Sequence, residues 1–501
     1  MRALLTPLLQ LQRFFIPAVL ILLAWAIWKT VFRKDFAIGL ALYSCLVVIV
    51  DGFYNTGIYL PGLEKGSIRY SEICAMFLFF SGERPSQADA KRGTVLFLVG
   101  TYFCLMFLAA LRAEPRVQGL YEFRRIMVPQ VLTFALGCRG FRSIVDFRRF
   151  LLALTVLALI VGLFCFWDVF FDINLLHGDV LDKPEYTHNR RIGRFGSIFL
   201  NPNLLGAFVV LLFSPLLALF LERQNFRIKA LLGATLLALL FCLVETQSRA
   251  SMGAFVAMIA LFVVGPVSGL SRTRRFAAVL AALALFAIFM PGFLNHSTKR
   301  FNTIDAEESL DVVSRASVWK YTEGIISDNP ILGIGFGESQ FLAAMGKTDF
   351  QERFGRQSLD NPHNSYLQAA VYAGVPALAA FLLANLVLLF KSWKAARHAA
   401  GGAGAAKEMF GLSVGITAFL VCSYPDMHLF TFNVAPLYWL FFGLLLSFST
   451  RTGASDPGKI LAVDDGRKAN ARSRRLKATR SSRRSVRAKA RSADPRQNGD
   501  P

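Results

Sequence analysis

Arg315-Ala-Ser-Val-Trp319, Ser327-Asp-Asn-Pro-Ile-Leu-Gly-Ile-Gly-Phe-Gly337 and Asn361-Pro-His-Asn-Ser-Tyr-Leu-Gln368 stand in a polar interval, 295–367, between two long apolar blocks. Outward from this interval, the 501-residue chain is 54% hydrophobic with a mean hydropathy of +0.46, an apolar excess that a soluble domain does not carry. Apolar runs of about 18 to 24 residues bounded by charges match the bilayer thickness. Lipid offers free backbone groups no partner, so each such run must be helical. The fold class is therefore all-α: a polytopic integral membrane protein of about twelve transmembrane helices with one large outer loop. The spans fall near 14–32, 36–52, 68–82, 93–111, 150–171, 198–221, 228–246, 250–268, 276–294, 363–390, 409–424 and 431–449.

Charge sets the expected sides. The tail from Arg451 to Pro501 holds 15 Lys/Arg against 5 Asp/Glu, a balance of +10 out of a chain total of +22. With almost no aromatics it reads as a disordered basic arm, and its position after the last span marks a cytoplasmic C-terminus in contact with anionic lipid headgroups. A nucleic-acid partner is not implied. Reading back, 391–407, 272–275 and 222–227 are cytoplasmic, so 172–197, 247–251, 295–362 and 426–428 face outward. The 295–362 interval carries 7 Lys/Arg and 10 Asp/Glu, which suits the outer face. In a bacterium with an outer membrane that face is the periplasm. The run 126–138 is short and has arginines on both sides, which predicts that 112–149 stays cytoplasmic with 126–138 at the membrane surface. The seven cysteines lie in or beside apolar runs without a CxxC pair and read as small packing residues.

The outer-face residues hold the chemistry. Arg249, at the junction of two spans in Glu245-Thr-Gln-Ser-Arg-Ala-Ser251, runs against the positive-inside bias. It can bind a phosphate bidentately or snorkel to headgroups. Arg315 and Trp319, four apart, share a helix face, either as a binding pair or as an amphipathic surface helix with an indole anchor. The Gly333, Gly335 and Gly337 alternation allows close backbone approach but fits neither a P-loop nor a dinucleotide fingerprint. His363 sits where the chain re-enters the bilayer, as a general base by its pKa or as a polar cap. No His pair has zinc-ligand spacing, so no metal is expected.

Together these pieces resemble the O-antigen ligase and polymerase family of bacterial membrane glycosyltransferases. The resemblance rests on Asn201-Pro-Asn203, Ser248-Arg249-Ala250, Arg315-x-x-x-Trp319, Asp328-Asn-Pro-x-x-Gly-x-Gly-Phe-Gly337, His363-Asn-Ser-Tyr-Leu-Gln368 and Gly374-Val-Pro376, in that order and on a common side of the membrane. It implies N-terminal spans over 1–194, a ligase-like core over 195–450 that includes the 295–362 periplasmic loop, and the tail 451–501. It also implies a multi-pass protein of the inner membrane and a glycan donor on undecaprenyl diphosphate. The acceptor is lipid A core or a growing saccharide, and neither metal nor nucleotide is needed. Arg249 and Arg315 would bind the diphosphate, His363 would be the base, and Trp319 and Asn364 would contact substrate. A polysaccharide polymerase of the same family, or a multi-pass transporter of lipid-linked glycan or a small anion, are the competing readings. Truncation after Thr450 is expected to leave membrane insertion and glycan transfer intact; an inserted but inactive truncation, assayed in membranes, contradicts a purely topological tail.

Overall fold

The computed structural model describes residues 35–50, 57–59, 67–69, 93–141, 143–171, 193–222, 225–265, 310–354, 361–398 and 405–451, with a few single positions between them. The expected spans at 14–32 and 276–294, most of 68–82, the first part of the outer loop and the basic tail lie outside the described residues. The chain divides into two units, 1–450 and 451–501, and the first of them is the helical bundle.

Almost everything described is helical. The helices are α1 (Phe36–Cys45, continued by a π-turn over Leu46–Val50), α2 (Gly93–Arg112), α3 (Arg116–Arg139), α4 (Ile144–Phe171), α5 (Pro202–Glu222), α6 (Phe226–Thr246), α7 (Arg249–Val264), α8 (Leu310–Asp328), α9 (Glu338–Met345), α10 (Phe350–Phe354), α11 (Ser365–Ala373), α12 (Val375–His398), α13 (Ala405–Cys422) and α14 (Ala435–Arg451). The exception is an antiparallel ribbon of two three-residue strands, β1 (Gly57–Tyr59) and β2 (Ser67–Arg69). Five of the helices, α2, α4, α5, α6 and α12, are long and apolar enough to cross a membrane, and α1, α7 and α14 are shorter apolar helices. The protein is thus an all-α, multi-pass membrane protein.

The bundle is arranged around α14. Its side chains from Ala435 to Leu446 are buried on every face, as expected of a helix that is apolar all round. Trp439 stacks on Tyr102 of α2 at 5.8 Å and donates its indole N–H to Gln130 Oε1 of α3 at 2.8 Å. Gln130 in turn donates to the Leu429 carbonyl at 2.9 Å, so this buried amide is satisfied in both roles. Small residues bring helices into contact where lipid supplies no hydrophobic drive. Gly411 and Gly415 of α13 press on the backbone of α5 at Ser214 and Leu211, and Gly137 of α3 lies against Leu440 and Gly443 of α14. At one end of the bundle, ion pairs join α4, α5 and α13: Arg148 with Glu408, and Lys407 with Glu222.

Two expectations are corrected. The 126–138 run is not a surface segment but part of α3, a continuous helix about 36 Å long at 1.5 Å per residue. The α2–α3 turn, at residues 113–115, lies against the glycine-rich loop, at the end of the bundle opposite those ion pairs. Arg112 donates to the carbonyls of Leu332 at 2.9 Å and Gly333 at 3.3 Å, and Gln340 Nε2 donates to the Glu114 carbonyl. Residues 112–116 therefore share the side of the loop expected to face outward. In the fold the Arg112 guanidinium is bonded to loop carbonyls, and Arg124 pairs with Glu72 at 2.6 Å.

The second correction is to the 363–390 span, which breaks at Gly374 into α11 and α12. Gly374 holds φ +85°, and a Cβ there would lie 2.1 Å from the Ile331 carbonyl oxygen. Only glycine fits both the backbone and the space. The loop 329–337 is strapped across this break: Val375 N–H donates to Pro330 O, Ile334 N–H to Val371 O, Gly335 N–H to Tyr372 O and Phe336 N–H to Ala109 O. The glycine alternation read from sequence thus serves close backbone packing between α2 and α11.

Gly137→Val should push α3 off α14, since its Cβ would meet the Leu440 carbonyl oxygen at 2.4 Å, and cost roughly 1–3 kcal/mol. The check is thermal unfolding in detergent; an unshifted melting temperature would mean that α3 does not pack there.

Candidate active site

The polar end of the bundle is built from four chain segments that meet at one carboxylate. Asp426 lies in the connection between α13 and α14 and is nearly buried. Its Oδ2 accepts from Asn203 Nδ2 at 2.7 Å, and its Oδ1 from the Met427 N–H at 2.8 Å. Its backbone carbonyl accepts both the Ser365 N–H at 3.0 Å and the Ser365 hydroxyl at 2.8 Å. Burial works to raise the Asp426 pKa. The interactions with His428, His363 and Arg315 and the Met427 N–H outweigh it, and the carboxyl sits below the usual aspartate value. Asp426 is therefore anionic throughout the neutral range.

Against this anion lies a cavity of about 560 Å³. Arg194, Arg249 and Arg315 line it together with Trp319, Asn203 and Asp426. Arg194 is fixed by donating Nε–H to the Thr246 carbonyl at 3.1 Å and Nη2–H to Asn203 Oδ1 at 2.8 Å. Arg249 is the first residue of α7, after the N-cap Ser248, whose side chain accepts from the Ser251 N–H. Its backbone thus opens the helix at the positive end of the dipole, a place that favours an anion. Arg315 is one turn before Trp319 on α8, and the two share the cavity wall as their spacing predicts. Among the described residues, three guanidiniums and one carboxylate line the cavity.

The structure brings together Arg249, Arg315 and Trp319. His363 is not among the residues that line the cavity, but its charge bears on Asp426, which is. Its backbone is held in the left-handed region at φ +47°, which non-glycine residues seldom occupy without surrounding constraint. That constraint is visible on both sides. Pro362 O accepts the Trp319 indole N–H at 2.9 Å, and Asn361 Oδ1 accepts the His363 N–H at 2.9 Å. Asn364 Oδ1 caps α11, accepting from the N–H groups of Tyr366 at 2.9 Å and Leu367 at 3.1 Å. Asn364 is buried and spends its side-chain oxygen on this cap, so its geometry is that of a residue that orients the His363 loop rather than a wall of the cavity. Trp319 likewise ties the same loop to α8.

Sequence reasoning gave no role to Arg194, Asn203 or Asp426. Their signal was thin: an Asn-Pro-Asn at the start of a span and a lone Asp-Met-His on the side expected to face outward. Behind Asp426, His428 is fully buried in the α13–α14 connection, outside the spanning helices. Its Nε2 lies 3.4 Å from Cys422 Sγ, which is 3.3 Å from Ser251 Oγ of α7. Burial, with a smaller push from Arg315, holds the imidazole pKa below its usual value despite Asp426, so His428 is neutral near pH 7.

Residues 234–382, from within α6 to within α12, match the family model described as O-Antigen ligase. No curated protein matches the chain. The matched stretch contains Arg249, Arg315, Trp319 and His363, while Arg194, Asn203 and Asp426 join the site from outside it.

A histidine held neutral by the fold makes stability fall with acid. On unfolding it regains an ordinary imidazole pKa near 6.5 and takes up a proton, so stability is full above that value and declines as pH drops below it toward the depressed folded value. Asp426, also depressed, acts only below its ordinary 3.8. Between pH 7.5 and 5.5 the wild-type melting temperature in detergent should therefore fall further than that of His428→Gln; equal falls would rule out a neutral buried His428.

Proposed function

We propose that this domain of the O-antigen ligase family transfers a glycan from undecaprenyl diphosphate to an acceptor hydroxyl on the periplasmic face of the inner membrane. The observation that carries the reading is the cavity's charge. Among the described lining residues three arginines gather against one carboxylate, a cationic wall suited to a diphosphate bearing a substituent at each end, the form in which a lipid-linked glycan presents itself. Such a diphosphate lies at headgroup depth, which fits a site at the end of a bundle rather than at its middle.

In this mechanism Arg249 and Arg315 grip the diphosphate through charge-assisted hydrogen bonds, with Arg194 as a third cation in the same wall. His363 accepts the proton of the acceptor hydroxyl as that oxygen attacks the anomeric carbon. The bond from that carbon to the diphosphate oxygen breaks, and the leaving oxygen takes the electron pair. The two added guanidiniums offset the charge that grows there in the transition state. Asp426 stabilises the imidazolium that forms on His363 and, through Ser365, holds the loop that carries it. Trp319 and Asn364 position that loop through Pro362 and the α11 cap. Released lipid diphosphate and the glycosylated acceptor complete the balance.

A ligase acting on lipid A core is the reading we favour, with a polymerase acting on a second lipid-linked saccharide as the alternative within the same chemistry. The acceptor that becomes glycosylated in a reconstituted assay separates them. In that assay, using purified donor, His363→Ala, Arg315→Ala and Arg249→Ala should each lower the transfer rate on the order of 100-fold or more. Each variant is first shown to insert and to remain folded at the assay temperature. Normal transfer by all three would remove these residues from the mechanism.

A further inference from the structure

One aromatic at the site end stands apart from the rest of the surface. Among the described residues, the exposed phenylalanines all lie on helices: α2, α4, α6 and α12. That is where a membrane protein faces lipid. Tyr424 is 55% exposed and lies instead in the α13–α14 connection, directly before Pro425 and Asp426, both of which line the arginine cavity. Its ring meets Trp319, another cavity residue, edge to face with centroids 5.4 Å apart, and Tyr366 at 6.4 Å. Both neighbours are fixed: Trp319 N–H donates to Pro362 O, and the Tyr366 hydroxyl to Leu420 O at 2.6 Å. Among the described residues no protein hydrogen bond is made by the Tyr424 hydroxyl.

We propose that Tyr424 is a saccharide-stacking residue: its ring receives the apolar face of a pyranose placed next to the diphosphate cavity, and its hydroxyl bonds a sugar hydroxyl. This rests on the glycan-transfer reading. The C–H face of a pyranose is the one apolar surface that a carbohydrate offers, and an aromatic ring backed by two immobilised rings covers it without an entropy cost in the protein. The position decides which sugar is in reach: one within a residue or two of the cavity, either the first ring of the donor glycan or the acceptor ring presented to it. A membrane-interface anchor, the other common use of an exposed tyrosine, needs no adjoining cavity and no indole packed against its edge.

The test is a set of variants, Tyr424→Leu and Tyr424→Phe, in the full chain reconstituted in vesicles. Binding is measured for undecaprenyl diphosphate alone and for the glycan-bearing donor, and KM and kcat are measured for donor and acceptor. Tyr424→Leu is expected to weaken either the glycan-bearing donor or the acceptor KM by roughly three- to ten-fold, with binding of the bare lipid diphosphate and the melting temperature unchanged. Tyr424→Phe should retain most of the wild-type value. Loss confined to the glycan-bearing donor assigns the donor ring, and loss confined to acceptor KM assigns the acceptor ring. Unchanged constants for both substrates in Tyr424→Leu overturn the proposal, as does a loss that follows reduced insertion or equally affects the bare lipid diphosphate. Failure of the wild type to bind lipid diphosphate at all would instead strike the glycan-transfer reading itself.

Discussion

A buried carboxylate holds the polar end of this bundle together. Taking Asp426 out of water would cost several kcal/mol if it were left unpaired, and removing one partner of such a charge typically costs about 3–5 kcal/mol. The fold meets that demand from four directions. Asn203 comes from the start of α5 and the Met427 N–H from the turn itself, while the charges of Arg315 on α8 and His363 ahead of α11 also bear on it. Because each partner belongs to a different segment, satisfying one charge fixes the relative placement of all four. The cavity walls follow: Asn203 anchors Arg194, and the Ser365 latch on the Asp426 carbonyl sets the loop that carries His363.

The arginines line the cavity, while His363 stands outside that lining and bears on the same carboxylate. Asp426 offsets part of this gathered positive charge, for Arg315 through its own field and for Arg194 through Asn203. Among the described lining residues one carboxylate thus faces three guanidiniums.

What could be read from the sequence was what is local or periodic. The apolar runs over α2, α4, α5 and α6 and the i, i+4 pair on α8 were legible, because helix periodicity and bilayer length are properties of a single stretch. Arg249 was legible because it breaks a charge bias at a helix junction. Asp426 and Arg194 were not, since each gains its meaning from a partner far along the chain, and neither sits in a patterned stretch. The 126–138 run was misread for a related reason. Its flanking arginines look topogenic in one dimension, and only the fold reveals that Arg112 and Arg124 are bonded to loop carbonyls and to Glu72. Gly374 gave a glycine but not the Ile331 carbonyl that makes it a break.

The burial of α14 on every face has a consequence for how the protein is made. It is the last of the described helices in the chain, yet it fills the middle of the bundle, with Trp439 seated against α2 and α3. The helices before it emerge from the ribosome first and have no pillar to close around. Contacts such as those of α5 with α13 can form without it, but the packing against Trp439 cannot. A chain stopped before residue 435 therefore lacks the centre on which the other described helices pack.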